Sequence, residues 1–134
     1  IDCRGVGARS DWNHLRGVRG EVVRVHAPEV QLSRPLRLIH PRYPLYIAPK
    51  QEGVFVIGAT EIESDDTSPA SVRSSLELLS AAYSVHKGFA EARILEISAQ
   101  VRPTLADNLP AIRLQGQRHN GWQSYRLRQT ARHR

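Results

Sequence analysis

One amphipathic helix, with strands before and after it, limits the folds open to this chain. Ser68 and Pro69 predict where the helix starts, because serine caps free amides and proline suits the first helical position. Gly88 predicts its end, so we expect a helix over residues 69–87. Apolar residues recur along it at spacings of four, three and four, and others widen the same face. These residues are Val72, Leu76, Leu79 and Tyr83, widened by Leu78, Ala82 and Val85.

Short apolar runs on both sides of this helix predict strands. The predicted strands cover residues 21–26, 36–40, 45–48, 54–58 and 93–102. The turn at residues 50–53 should join the third and fourth strands into a hairpin. Strands grouped around one helix predict an α+β fold, an antiparallel sheet with one long helix packed on one face.

The strand over residues 93–102 ends in the first candidate site residue, Arg102. Its alternation places Leu95, Ile97 and Val101 on one face and Arg102 on the other, and Pro103 should end the strand. An arginine at the end of a half-buried strand suits a planar anion such as a carboxylate. The alternative is a surface ion pair of Arg102 with Glu96 or Glu61.

Tyr46 is the second candidate. It lies between Leu45 and Ile47 within a strand, so it points to the opposite face from both. Its hydroxyl needs a partner if that face is covered. The alternative is a ring packed on the sheet with its oxygen in water. Spacing alone does not place Tyr46 beside Arg102.

The charge of the chain does not indicate a nucleic-acid partner. The formal net charge is +6, but all of that excess lies after Ile112, in arginines that meet no acidic residue. These are Arg113, Arg118, Arg126, Arg128, Arg132 and Arg134. A nucleic-acid domain carries its basic stripe on the folded surface, whereas the charges up to Ile112 balance.

Other classes of site find little support. The histidines do not fall three or four residues apart on a shared helix, and Cys3 has no partner thiol, so we expect no metal site. No serine or cysteine stands in a nucleophile-elbow pattern, and we assign no catalytic residue. A single cysteine fits a reducing cytoplasm. No apolar run approaches the roughly 20 residues of a membrane span.

Five segments of the chain, taken in order, form a recognisable series. They are Ile1-Asp2-Cys3-Arg4-Gly5-Val6-Gly7-Ala8, Arg16-Gly17-Val18-Arg19-Gly20-Glu21, Leu45-Tyr46-Ile47-Ala48-Pro49-Lys50, Val56-Ile57-Gly58-Ala59-Thr60, and Val101-Arg102-Pro103-Thr104 followed by Asp107-Asn108-Leu109-Pro110-Ala111-Ile112. Together they resemble the C-terminal part of the FAD-dependent amino-acid oxidases of the D-amino-acid oxidase and glycine oxidase family, and the resemblance runs from Ile1 to Leu114.

The resemblance implies roles for particular residues. Arg102 matches the arginine that pairs with the substrate carboxylate, and Tyr46 matches a tyrosine of the same pocket. Gly5 and Gly7 match the turn where the chain leaves the FAD-binding domain. Arg19-Gly20 matches a segment that returns near the flavin. The implied reaction takes hydride from the α-carbon of a small amino acid to FAD and yields an imino acid.

The same resemblance implies a division of the chain. Residues 1–10 would end the FAD-binding domain and residues 11–114 would form the substrate-binding domain. Residues 115–134 show neither helical nor strand periodicity and are rich in Gln, Arg, His and Gly, so their composition predicts a basic tail that is disordered or has no folded role. A third glycine is missing where Ser10 stands, so Gly5-Val6-Gly7 is not a dinucleotide fingerprint. We therefore expect the chain to need a separate FAD-binding domain and to be inactive alone. The competing hypothesis is a carboxylate-binding or interaction domain without redox chemistry.

Overall fold

The computed structural model describes residues 3–39, 44–109, 111–115 and 122–126, the last two ranges mainly through their backbone. The chain divides into two compact units, one of residues 17–102 and one of residues 1–16 with 103–134. Each unit is described by itself. The helix is α1 (Val72–Val85) and the strands are β1 (Arg16–His26), β2 (Leu36–Leu38), β3 (Leu45–Pro49), β4 (Val54–Gly58), β5 (Ile62–Glu63), β6 (Arg93–Thr104), β7 (Ala111–Gln115) and β8 (Trp122–Arg126).

The larger unit is built on one sheet in which β2, β3, β4 and β1 lie side by side. β5 and β6 also pair with β1. The β2–β3, β3–β4, β4–β1 and β1–β5 pairs are antiparallel. This confirms the predicted hairpin of β3 and β4 and the prediction of an antiparallel sheet with one helix. Strand β2 ends at Leu38, and His40, included in the predicted strand, lies outside the described residues.

The core lies on one face of this sheet, because alternate residues of each central strand point toward α1. Its strand residues are Val23, Val25, Leu45, Ile47, Phe55 and Ile57, and α1 contributes Leu78, Ala81 and Ala82. Phe55 also meets Phe89 edge to face, with ring centroids 5.4 Å apart. This packing closes the face of the sheet that carries the odd-numbered residues of β1.

The helix is shorter than predicted. It begins at Val72 rather than Pro69, and its N-cap is Ser71, whose hydroxyl accepts a hydrogen bond from the Ser74 N–H at 3.1 Å. Ser68 instead donates its hydroxyl to Asp66 at 2.7 Å. Gly88 belongs to a separate 3₁₀ turn that follows the helix, Lys87–Glu91.

The predicted apolar face of α1 is wrong in detail. Val72, Leu76 and Tyr83 are 77%, 60% and 53% exposed, whereas Leu78 and Ala81–Ala82 are buried. Both sets of residues recur at helical spacing on neighbouring faces, so periodicity does not choose between them. The face that packs on the sheet carries the small side chains of Ala81 and Ala82 beside Leu78.

Strand β6 departs from its prediction in two respects. Pro103 does not end it, since the strand runs to Thr104, and a strand that pairs on one side tolerates a residue without an N–H. The strand is not half-buried along its length, because Leu95 and Ile97 are 54% and 38% exposed. The helix α1 packs on β3 and β4.

The smaller unit contains a 3₁₀ helix, Gly5–Ser10, and the antiparallel pair of β7 and β8. Arg4 pairs with Asp11, and Arg16 donates to Asn108. Strand β8 lies in the stretch that we expected to be disordered, while residues 116–121 and 127–134 of that stretch are outside the described residues. In the described part of the chain, no helix is long and apolar enough to cross a membrane, and no cluster of metal-ligating side chains occurs.

Candidate functional site

The face of the sheet opposite α1 carries two glycines on neighbouring strands. Since Val23 and Val25 of β1 face the core, Gly20 and Val22 face the other way. Val22 pairs with Gly58 of β4, and Gly58 in turn pairs with Tyr46 of β3. Paired residues of antiparallel strands share a face, so these residues lie together on what we call the open face.

Tyr46 covers Gly58 on the open face. A Cβ atom placed on Gly58 would stand 2.8 Å from the Tyr46 hydroxyl oxygen and 2.9 Å from its Cζ. The ring therefore extends across β4 toward β1, with the side chain 39% exposed. A side chain on Gly58 would force Tyr46 or Val22 to shift.

Arg102 covers Gly20 in the same way. A Cβ on Gly20 would lie 2.9 Å from Nη2, 3.0 Å from Cζ and 3.2 Å from Nε of Arg102. These nearly equal distances show that the face of the guanidinium lies over the glycine. Nη2 also donates a hydrogen bond of 2.8 Å to the carbonyl oxygen of Thr60.

The structure thus brings Arg102 and Tyr46 to one face of the sheet. Gly20 and Gly58 are diagonal neighbours in the register of β1 and β4, which places their backbones about 7–8 Å apart. Of the two partners considered for a surface ion pair of Arg102, Glu96 pairs instead with Arg24 at 3.2 Å. Arg102 itself is exposed, so its charge is accessible to a ligand.

On the core face of β1, Arg19 and Glu21 form a buried ion pair. Arg19 is 4% exposed and Glu21 is 1% exposed. The Arg19 Nε donates to a Glu21 carboxylate oxygen at 2.7 Å, Nη1 donates to the Asp66 carbonyl at 2.6 Å and Nη2 to the Pro69 carbonyl at 2.8 Å. The guanidinium of Arg19 is thus committed to contacts within the chain, and it faces away from Arg102.

Glu21 connects this pair to the helix. Its second carboxylate oxygen accepts a hydrogen bond from the Ser71 N–H at 3.0 Å. Burial alone would raise the pKa of Glu21, but hydrogen bonds from Arg19, Ser71 and Ser74 and the charge of Arg19 outweigh it and hold that pKa below its usual value. The pair therefore joins β1 to the start of α1 in its ionised form.

The glycines expected near the cofactor have different settings. Gly5 is the first residue of the 3₁₀ helix of the smaller unit and has a φ of +61°, a conformation that favours glycine. Gly7 lies two residues later in the same helix. Gly20 has its Cβ position occupied by Arg102. Because the Arg19 side chain is buried, a contact of the 19–20 segment with a cofactor would involve its backbone and Gly20.

Sequence reasoning did not assign a role to Gly58 or Thr60. Both lie in a Gly-Ala-Thr segment in which Gly58 ends a compact apolar strand and Thr60 follows it, and this position was the available signal. A cleft of about 780 Å³ also borders Thr60, between residues 59–62 and the first turns of α1. Arg102 and Tyr46 are not among its lining residues.

Comparison with solved structures defines the class of protein. Glycine oxidase from Bacillus cereus matches with a TM-score of 0.61 and 30% sequence identity, over 72% of this chain and 25% of that chain. The sheet with its helix is therefore an architecture found in a flavin-dependent oxidoreductase of the amino-acid oxidase type.

The chain itself belongs to the FAD-dependent oxidoreductase family known as DAO, whose model, described as FAD dependent oxidoreductase, matches residues 1–124. This confirms the resemblance inferred from the sequence and extends it past Leu114.

A protein of Rhizobium etli that carries the name thiamine biosynthesis oxidoreductase ThiO is 51% identical over 87% of this chain and 36% of its own length. D-amino acid oxidase of Dugesia ryukyuensis is 30% identical over 77% of this chain and 30% of its own length. The chain thus spans about a third of these relatives.

Proposed function

We propose that this chain is the substrate-binding part of an FAD-dependent oxidoreductase that oxidises a small amino acid. The observation that carries the proposal is the placement of Arg102 and Tyr46 over two glycines on one face of the sheet. That face lies opposite the core, so the two polar groups are accessible to a ligand. Family membership supports the redox chemistry, and the names of two relatives, glycine oxidase and D-amino acid oxidase, support an amino acid as substrate.

Arg102 would bind the substrate carboxylate. A guanidinium has five N–H donors in a planar fork, and the bond to Thr60 takes one hydrogen of Nη2. The two Nη2 hydrogens belong to different edges of the guanidinium, one shared with Nε and the other with Nη1. The bond to Thr60 therefore leaves one edge with two donors for a carboxylate. The Tyr46 hydroxyl would supply a second polar contact, and two contacts would orient the α-carbon.

The described residues do not form a complete FAD site. The Arg102 guanidinium covers Gly20, so the backbone of Gly20 is not open to a planar ring on that face. The 3₁₀ helix that begins at Gly5 is only six residues long, so it does not supply the long helix N-terminus that holds a pyrophosphate. FAD would therefore be held mainly by a separate FAD-binding domain.

The roles of this chain in the reaction are binding and orientation. When bound, the flavin would accept the hydride that the substrate α-carbon gives up. Arg102 would hold the carboxylate and Tyr46 would limit rotation of the bound amino acid. A protein base is not required if the amine arrives unprotonated, which agrees with the absence of a predicted catalytic residue in this chain. The chain alone would neither retain FAD nor turn over.

Replacing Arg102 by lysine in the full-length protein tests the carboxylate site. Lysine keeps the charge but loses the fork, so we expect KM for the amino acid to rise by about 10- to 100-fold. Steady-state kinetics measures this change. Arg93→Lys, at the other end of the same strand, is the matched control and should leave KM unchanged. An unchanged KM in Arg102→Lys would refute the assignment.

Flavin absorbance tests the redox assignment. The full-length protein should be yellow as purified, or become so when reconstituted with FAD, and this chain alone should be colourless under the same conditions. A full-length protein that stays colourless after reconstitution would favour the carboxylate-binding domain without redox chemistry.

A further inference from the structure

The guanidinium of Arg102 is held on two sides by backbone. Below it lies Gly20, whose missing side chain leaves the space that Nη2, Cζ and Nε occupy. Beside it lies the Thr60 carbonyl, which accepts the Nη2 hydrogen bond of 2.8 Å. An exposed arginine has many rotamers, and these two contacts select one of them.

Thr60 is itself fixed to β1 by two further hydrogen bonds. Its hydroxyl oxygen accepts from the Glu21 N–H at 2.9 Å, and its own N–H donates to the Glu21 carbonyl at 3.2 Å. Glu21 is among the most buried side chains of the core, held by Arg19 and Ser71. The Thr60 residue is therefore tied to one of the most buried residues of the sheet.

We propose that Thr60 and Gly20 are positioning residues that form a seat for the Arg102 guanidinium and aim its open edge at the substrate carboxylate. This inference rests on the proposed function of Arg102. The Thr60 hydroxyl makes no bond to Arg102 among the described contacts, so it acts through the backbone. Without that hydroxyl, the Glu21 N–H would lose its acceptor and the Thr60 carbonyl would lose one of its two anchors.

The test compares Thr60→Val with Thr60→Ser in the full-length, FAD-loaded protein. Valine has the shape of threonine without the acceptor oxygen, and we expect KM for the amino acid to rise about tenfold with little change in kcat. The inhibition constant for acetate, a carboxylate without an amine, should rise by the same factor. Serine keeps the oxygen and should restore both values. An unchanged KM in Thr60→Val, or no rescue by serine, would overturn the proposal.

Gly20→Ala provides a second, independent variant. It leaves Thr60 intact but places a methyl group where the guanidinium lies, and the arginine end can move aside without disturbing the fold. Flavin absorbance should be retained and KM should rise about tenfold, as for the valine variant. A normal KM with normal FAD content would contradict the seat even if Thr60→Val failed to fold.

Combining Thr60→Val with Arg102→Lys separates this proposal from the proposed function. If the seat acts through Arg102, Thr60→Val should add no further change in KM once the fork is gone. A purely structural role would give additive effects and would overturn the proposal. If Arg102→Lys alone leaves KM unchanged, the carboxylate site is refuted. If Arg102→Lys raises KM but Thr60→Val does not, only the seat is refuted.

Discussion

Replacing Glu21 by alanine is expected to lower the free energy of unfolding by about 3–5 kcal/mol, because it leaves a buried guanidinium without its partner. Arg19 and Glu21 are 4% and 1% exposed, so water cannot replace the lost contact without rearrangement. The Ser71 N–H at the start of α1 would also lose its acceptor. Equilibrium urea unfolding of the chain, followed by circular dichroism, measures the change.

Glu96→Ala is the matched control for this prediction. Glu96 also pairs with an arginine, Arg24, but both side chains are 49% exposed. An ion pair in solvent contributes about 0–1 kcal/mol, so the control should barely change the unfolding free energy. Equal losses in the two variants would show that burial does not set the strength of the Arg19–Glu21 pair.

The dependence of stability on pH gives a second readout for Glu21. Its pKa is lowered in the folded protein, so its contribution is present above the unfolded value of about 4.3 and is lost as the pH falls through the lower folded value. The difference in unfolding free energy between the protein and its Glu21→Gln variant should therefore shrink on acidification below about pH 4. A difference that stays constant over that range would contradict an ionised buried pair.

Ile57→Ala should have the next largest effect, a loss of about 2–5 kcal/mol in unfolding free energy. Ile57 has no exposed surface and lies at the centre of the core, in β4 between β1 and β3. Truncation leaves a cavity that β-strands paired on both sides cannot close. Urea unfolding again measures the loss.

Ile39→Ala removes the same atoms from a side chain that is 92% exposed, and serves as the control for Ile57→Ala. A surface change of this kind should stay within about 0.5 kcal/mol. The contrast between the two isoleucines isolates the contribution of burial. A small loss at Ile57 would indicate that the chain does not hold this core when separated from the rest of the protein.

Most strands and the existence of the helix could be predicted because local patterns dictate them. Strand β4, Val54–Gly58, matches its prediction at both ends, since an apolar run bounded by turn residues has few alternatives. The buried face of α1 could not be predicted in the same way. Val72 and Leu76 are apolar like Leu78, yet they are exposed and Leu78 is buried, so helical spacing alone does not choose the buried face.

The candidate site was partly accessible from sequence. Alternation correctly placed Val101 and Arg102 on opposite faces of β6. Val101 lies over Gly17 and Arg102 lies over Gly20. These glycines are three residues apart on β1, so they lie on opposite faces of the sheet. The placement of Arg102 and Tyr46 on one face could not be derived from spacing, because their strands are far apart in the chain and are connected through the pairing of β6 with β1, β1 with β4 and β4 with β3. The assignment of both to substrate binding remains a prediction.

Local chemistry along the chain settles which segments are strand or helix, which side of each strand a residue occupies, and which family the chain resembles. It does so because backbone geometry ties side-chain direction to residue spacing. Three-dimensional packing determines the remaining contacts. Arg19 points into the protein and pairs with Glu21, whereas Gly20, between them, lies under Arg102. The Thr60 carbonyl accepts a hydrogen bond from Arg102. The contacts of Arg102 with Thr60 and of Arg19 with Asp66 join residues more than 40 positions apart, so they exist only once the sheet has paired.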